Sequence, residues 1–475
     1  MNMRTPRDLT WPPVLLFTVL LLPLLYVAAH ASPQSYDFCT GRFLHEGFWQ
    51  GLYDQYNSYG HQFLGRSLGF IPLLLVSEFS LDYFYIYALF VLIGLLTFII
   101  FARWMVLQLL PTTPAPLKWL VSTMLVLALV ANAPKMRELA FALPGYFTYA
   151  LPGLLISIIF ICLYRALAAS RDFTWTERAL MIATTPLIAL SNEWSGLALM
   201  ALLLCGFIAR LRLVPDAPAP ILHAILLGLT ILGAILLLLG PQDPIFHLDN
   251  MGMGLLWSLL YTPEFFLLRL PMPGVIGWFL LLAISYRPEL RAATLSDRHR
   301  QLLTFTVVSL LLISYIAFAF GYLPQQQRLP SRAQNELFLV VIVALSVALC
   351  LVMPILRWRI DQWAQRWPRL EATLAKPRPV LAFALALSLL SPAVLNALWQ
   401  MKDVGTFRDE SRARMALMID HAEPTVYLPP LSAQPSLLFD RDVGRNASAW
   451  RNDCIADFFK LDKVIRQPSE TEIGN

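Results

Sequence analysis

Apolar runs separated by short polar breaks recur along the first 400 residues, at 11–29, 83–109, 118–130, 146–163, 179–190, 197–208, 221–239, 265–284, 302–320, 337–356 and 380–399. A membrane crossing takes about 20 apolar residues, so this pattern predicts an all-α polytopic membrane protein with about eleven transmembrane helices. Several runs are shorter than the bilayer core, and their ends extend into neighbouring residues or thin the bilayer locally. Segment 63–77 is apolar enough for a short span, but counting it would reverse the side of every later loop. It reads instead as a juxtamembrane helix lying in the interface. After residue 400 the pattern changes to polar sequence with a short helix, one or two strands and a docking segment, so the expected organisation is a transmembrane domain at 1–400, with a first outer loop at 30–82, and a small extracytoplasmic α/β module at 401–475.

Composition agrees with that pattern. Hydrophobic residues make up 57% of the chain and charged residues 14%, against about 25% charged in soluble proteins, which excludes a water-soluble fold. The net charge of +5, from 36 basic and 31 acidic residues, gives no nucleic-acid signal. Its distribution is informative. With the N-terminus inside, alternate turns carry Lys118, then Arg165, Arg171 and Arg178, then Arg210 and Arg212, then Arg287, Arg291, Arg298 and Arg300, then Arg357, Arg359, Arg366, Arg369, Lys376 and Arg378. That excess of basic residues predicts an N-in, C-out topology. Arg4 and Arg7 ahead of the first run mimic a secretory signal, but the many later spans favour an uncleaved first helix. Of five cysteines, Cys39 and Cys454 fall in polar stretches on the outer side, where an oxidising compartment would allow them to pair if the fold brings them together.

On this topology the candidate chemistry gathers on the outer face. Asp37 follows the first helix closely and is placed at the membrane boundary, where a carboxylate can act as a general base; alone, it reads equally as a helix cap or solvated loop residue. Aromatics interleaved through the same loop, Tyr36, Phe38, Phe48, Trp49 and Tyr53 among them, offer faces for sugar stacking or an interfacial belt. Lys135 and Arg137 break the positive-inside trend next to Glu138; they suit a phosphate, or a plain surface ion pair with that acid. Glu193 sits in a hairpin between two apolar runs, which makes it a functional candidate by depth, or else an acid at a short turn in water. His247 and Asp249 form a His-x-Asp pair, two ligands without a third, and no metal site is assigned. Arg328 and Arg332 precede a span, where guanidinium forks fit a phosphate at headgroup level or anchor ordinary lipid.

Several short pieces spread over nearly the whole chain carry a resemblance. They are YDFC at 36–39, Gly65 with Arg66, LPGYFTY at 143–149 with Tyr146 and Tyr149, NEWSG at 192–196, PSR at 330–332 and WRN at 450–452. Together these resemble polytopic bacterial membrane proteins that look like GT-C glycosyltransferases, some related to those that modify O-antigen with glucose. The resemblance implies a GT-C-like fold whose first outer loop covers a cavity open to lipid, a polyprenyl-phosphate-linked sugar donor and inversion at the sugar carbon. It also implies an early loop acid, matched here by Asp37. Where many such sites carry a second adjacent acid, this chain has Tyr36, which favours a single base over a metal-chelating pair.

The expected activity is therefore transfer of one sugar, from a polyprenyl-phosphate carrier to a cell-surface glycan or its lipid-linked precursor, on the outer face of a bacterial cytoplasmic membrane. Asp37 would be the base, with Glu193 or Glu138 assisting. Arg332, Arg328, Arg137, Lys135 and Arg66 would serve the phosphate, and Tyr146, Tyr149 and His247 the rest of the substrate. Polyprenyl phosphate is already a good leaving group, so no cofactor is required; a divalent cation is compatible but nothing demands it. Two other classes compete, besides the plain reading of a structural membrane subunit. A transporter or flippase would carry charges midway along helices, and a glycan polymerase or ligase would use a diphosphate-linked donor.

Overall fold

The computed structural model describes residues 18–58, 84–214, 221–238, 251–286, 294–322, 329–366, 382–384, 386–387, 390–420, 423–439 and 441–468, with residues 15 and 75. The chain is mostly helical. In order come α1 (Leu22–Ala29), α2 (Ser35–Gly41), α3 (Phe48–Ser58), α4 (Phe84–Leu109), α5 (Ala115–Ala131), α6 (Leu151–Ala168), α7 (Trp175–Ala189), α8 (Glu193–Leu213) and α9 (Ile221–Leu238). These are followed by α10 (Met251–Arg269), α11 (Pro273–Ser285), α12 (Asp297–Tyr322), α13 (Ser331–Arg366), α14 (Pro392–Gln400) and α15 (Val404–Ile419). Strand β1 (Thr425–Leu428), helix α16 (Trp450–Phe459) and strand β2 (Lys463–Arg466) complete the described chain.

Among the described residues, five stretches can cross a membrane by length and composition: Tyr85–Leu109, Leu143–Ala168, Trp194–Leu213, Asp297–Ala319 and Ser331–Gln362. Ala115–Ala131 and Ile221–Ile235 are shorter apolar helices. The outer faces of the long helices carry exposed Leu89, Ile100, Leu259, Leu268 and Leu311. Contiguous apolar surface of that kind is unfavourable in water and is the solvated face in lipid, so the architecture is that of a multi-pass membrane protein.

One expectation is corrected. The run 265–284 is not one continuous helix: α10 and α11 meet at a bend of 76°. The sequence at the bend is Pro271-Met272-Pro273, and each proline removes a backbone donor and drives the residue before it out of helical geometry. The bend stays tightly packed because Gly274 accepts the approach of Asn132, whose Nδ2 would lie 2.2 Å from any Cβ there. The helix expected from residue 146 starts earlier, at Leu143, and passes through π-helical geometry at Tyr146–Ala150 before α6.

Ion pairs and hydrogen bonds fix which turns share an end of the bundle. Glu177 accepts from Arg171, at 2.7 Å from each guanidinium nitrogen, and from Arg165. Asp172 takes Arg210 from the end of α8, and Arg298 from the start of α12 reaches the Leu167 carbonyl. These residues come from three of the Arg-rich turns, which therefore meet at one end. Helix α6, at 18 residues and about 27 Å, separates that end from Tyr146–Ala150.

The C-terminal segment is a small α/β unit. Its strands pair in parallel, Thr425 opposite Lys463. Val426, Leu428 and Val464 pack with Met415, Met418 and Ile455, and Phe38 from α2 enters the same apolar cluster. Asn452 braces it by donating to the Gly444 and Val464 carbonyls and accepting from the Gly444 amide. Arg414 grips Asp442 and the Pro429 carbonyl. Cys39 of α2 and Cys454 of α16 form a disulfide, with Cα atoms 4.6 Å apart, so the pairing left open by the sequence is made.

Candidate functional site

At the end of the bundle opposite the arginine cluster, four polar elements converge. Asp37 lies on α2 and is 3% exposed. Its Oδ2 accepts from the Gln34 amide at 2.7 Å and from the Tyr87 hydroxyl of α4 at 3.0 Å. Its Oδ1 is buried with no hydrogen-bond partner among the described residues. Burial pushes the Asp37 carboxyl up to about 7, against the opposing pull of those two hydrogen bonds and of Arg137, while the nearby Glu138 charge pushes the same way as burial. A carboxyl poised near neutrality with one oxygen unclaimed is suited to take a proton.

Arg137 and Glu138 open a single π-helical turn, Arg137–Phe141, and both are buried. The Arg137 guanidinium donates to Glu138 Oε1, and Lys135 Nζ lies 3.6 Å from the same oxygen. Thus the structure realises the ion-pair alternative for this loop, and it does so away from water, where such a pair is retained only with good hydrogen bonding. The loop is pinned to α13 by Asn335, which accepts from the Lys135 amide and donates to the Lys135 carbonyl, each at 2.9 Å. Gly145 is required beside it: a Cβ would stand 2.3 Å from the Glu138 carbonyl oxygen and 2.6 Å from Glu138 Oε2.

Glu336, one residue on from Asn335, was not expected from the sequence. It is fully buried in α13 and accepts from Asn192 Nδ2 at 3.0 Å and from the Ser195 hydroxyl. Asn192 also caps α8 and donates to the Thr148 carbonyl. The hairpin 192–196 is thereby held against α13, and the acid whose contacts define it is Glu336. The sequence offers only a weak signal for it, a carboxylate bordering a long apolar run.

A cavity of about 520 Å³ adjoins this cluster. It is lined by Lys135 and Arg137, by Asn132 at the end of α5, by Arg269 and Met272 at the α10–α11 bend, by Asn396 of α14, and by Ser436 and Phe439 of the tail. Three cations on one cavity make it a candidate anion site.

The remaining expected site residues distribute as follows. Tyr146 and Tyr149 are buried in the apolar core, the Tyr146 hydroxyl meeting Thr97, and neither lines the cavity. Arg332 lies half-buried in the first turn of α13 and does not line the cavity. Glu193 begins α8, and its side chain lies outside the described residues. Arg66, Arg328, His247 and Asp249 also lie outside them, as does segment 63–77 apart from Leu75. Among the described residues no three His, Cys, Asp or Glu side chains converge as metal ligands. Comparison of the chain with protein-family models, curated proteins and solved structures finds no match.

Proposed function

We propose that this membrane protein is a glycosyltransferase that moves a single sugar from a polyprenyl-phosphate donor to a glycan or its lipid-linked precursor, on the outer face of a bacterial cytoplasmic membrane. The observation that carries the reading is Asp37, buried with its Oδ1 unpartnered beside the Arg137–Glu138 pair. In the reaction, the acceptor hydroxyl oxygen bonds to the anomeric carbon on the face opposite the departing phosphate, and its proton passes to Asp37. The bond from that carbon to the phosphate oxygen breaks, and the lipid phosphate leaves with its electron pair. Developing charge on that phosphate is stabilised by Arg137 and Lys135, whose effect is large because the surroundings are poor in water. Glu138 holds Arg137 in place and is not the base in this scheme. The Cys39–Cys454 disulfide supports the sidedness, since such bonds persist in oxidising compartments.

The test is incubation of the purified protein in nanodiscs with a labelled polyprenyl-phosphate sugar and a lipid-linked glycan acceptor. The expected result is one sugar added per acceptor, with stoichiometric release of polyprenyl phosphate. Acceptor ladders of increasing length would point to a polymerase, and intact donor after prolonged incubation with donors carrying different sugars would contradict the proposal.

A further inference from the structure

The cavity beside Arg137 holds a cation that the proposed reaction does not use. Arg269 ends α10, at the 76° break before α11. Among the described residues no carboxylate pairs with it. It shares the cavity with Lys135 and Arg137, both of which lie against Glu138. Among the described residues that line the cavity, three are basic and none is acidic.

Two further features add to that lining. Helix α11, 13 residues long, starts after Met272, which lines the cavity, so the positive end of its dipole lies at the same wall. Asn132, Asn396 and Ser436 supply neutral hydrogen-bonding groups around the cations. The outer wall is the tail: Gln400 donates to Ser436 Oγ at 2.6 Å and accepts from the Leu437 amide at 3.0 Å, which fixes segment 436–439 over the cavity.

We infer that this cavity seats a phosphate group through Arg269 together with Lys135 and Arg137, with the tail segment 436–439 as its outer wall. A volume of about 520 Å³ accommodates a phosphate with its first substituents rather than a bare ion alone. The inference rests on the proposed function in naming a prenyl phosphate as the occupant, whereas the recognition of phosphate follows from the cavity itself.

The experiment is equilibrium binding of fluorescent farnesyl phosphate to the full-length protein in phosphatidylcholine nanodiscs. Farnesol serves as the uncharged control, and Arg269→Gln, Arg269→Lys and the exposed control Arg300→Gln are compared with wild type. Saturable binding of the phosphate but not the alcohol is expected, weakened tenfold or more in Arg269→Gln, partly restored in Arg269→Lys and unchanged in Arg300→Gln. Retention of the Cys39–Cys454 bond and of helical content shows that each variant is folded. Displacement by millimolar inorganic phosphate would support recognition of the phosphate itself; displacement only by phosphatidylglycerol would support a headgroup held with its lipid. Undiminished binding in folded Arg269→Gln, or equal binding of farnesol, overturns the inference. Binding with the expected pattern but without sugar transfer keeps the site and removes the transferase reading, whereas transfer with undiminished binding in Arg269→Gln does the reverse.

Discussion

Asp37 and Gly145 show how much of the site depends on single atoms. Asp37 keeps one oxygen engaged by Gln34 and Tyr87 and leaves the other unclaimed, while burial raises its carboxyl to about 7. Gly145 lets the chain fold back against Glu138 so closely that no side chain fits. Gly145→Ala forces backbone apart at Glu138, since one of the clashing atoms is a carbonyl oxygen. Overpacking of this kind costs about 1–3 kcal/mol, and the expected outcome is a lower midpoint of thermal unfolding in detergent; an unchanged midpoint would show that the turn has slack. The residue-level reading from sequence was uneven for identifiable reasons. Asp37 was legible because it follows the first apolar run so closely. Glu336 was not, because SRAQNE reads as an ordinary polar helix start until Asn192 and Ser195 are seen to close on it. Arg269 is not singled out by the sequence, because the run around it reads as one continuous helix and the break that ends α10 there is invisible to hydropathy.

At the scale of elements, the disulfide and the tail decide how the site is covered. Helix α2 carries Asp37, sends Phe38 into the apolar cluster of the tail and bonds α16 through Cys39. Arg42 adds an exposed contact to Asp457 that contributes little by itself. Removing the crosslink is therefore expected to loosen both the tail and the base. Cys454→Ser should lose about 2–4 kcal/mol of stability and be cleaved faster within the tail in limited proteolysis; cleavage at the wild-type rate would show that packing alone holds the two together. The pairing could not be read from sequence because 415 residues separate the cysteines, and only the fold decides their proximity. Element existence was more legible than element shape. Apolar runs located α4, α6, α8, α12 and α13, but the α10–α11 bend turns on two prolines whose effect the hydropathy pattern alone does not register.

For the whole molecule, the arrangement separates two ends of a helical bundle. One end binds together basic residues from three turns through Asp172, Glu177 and the Leu167 carbonyl. The other collects Asp37, the Lys135–Glu138 loop, Glu336 and the cationic cavity under a disulfide-tethered tail. Three of the basic turns that charge bias groups along the sequence meet at the first end. Convergence of Asp37 with Arg137 was not accessible in that way, since separate loops meet only through packing. The central claim is that Asp37 takes the acceptor proton, and a base works when ionised, so the rate should rise with pH through about 7 and level off above it. The most direct measurement is the pH dependence of sugar transfer by wild type and Asp37→Asn, with donor binding measured in parallel. The account predicts that limb in wild type and a loss of about 10²–10⁴-fold in Asp37→Asn with donor binding retained; transfer by Asp37→Asn at the wild-type rate and with the same pH dependence would contradict it.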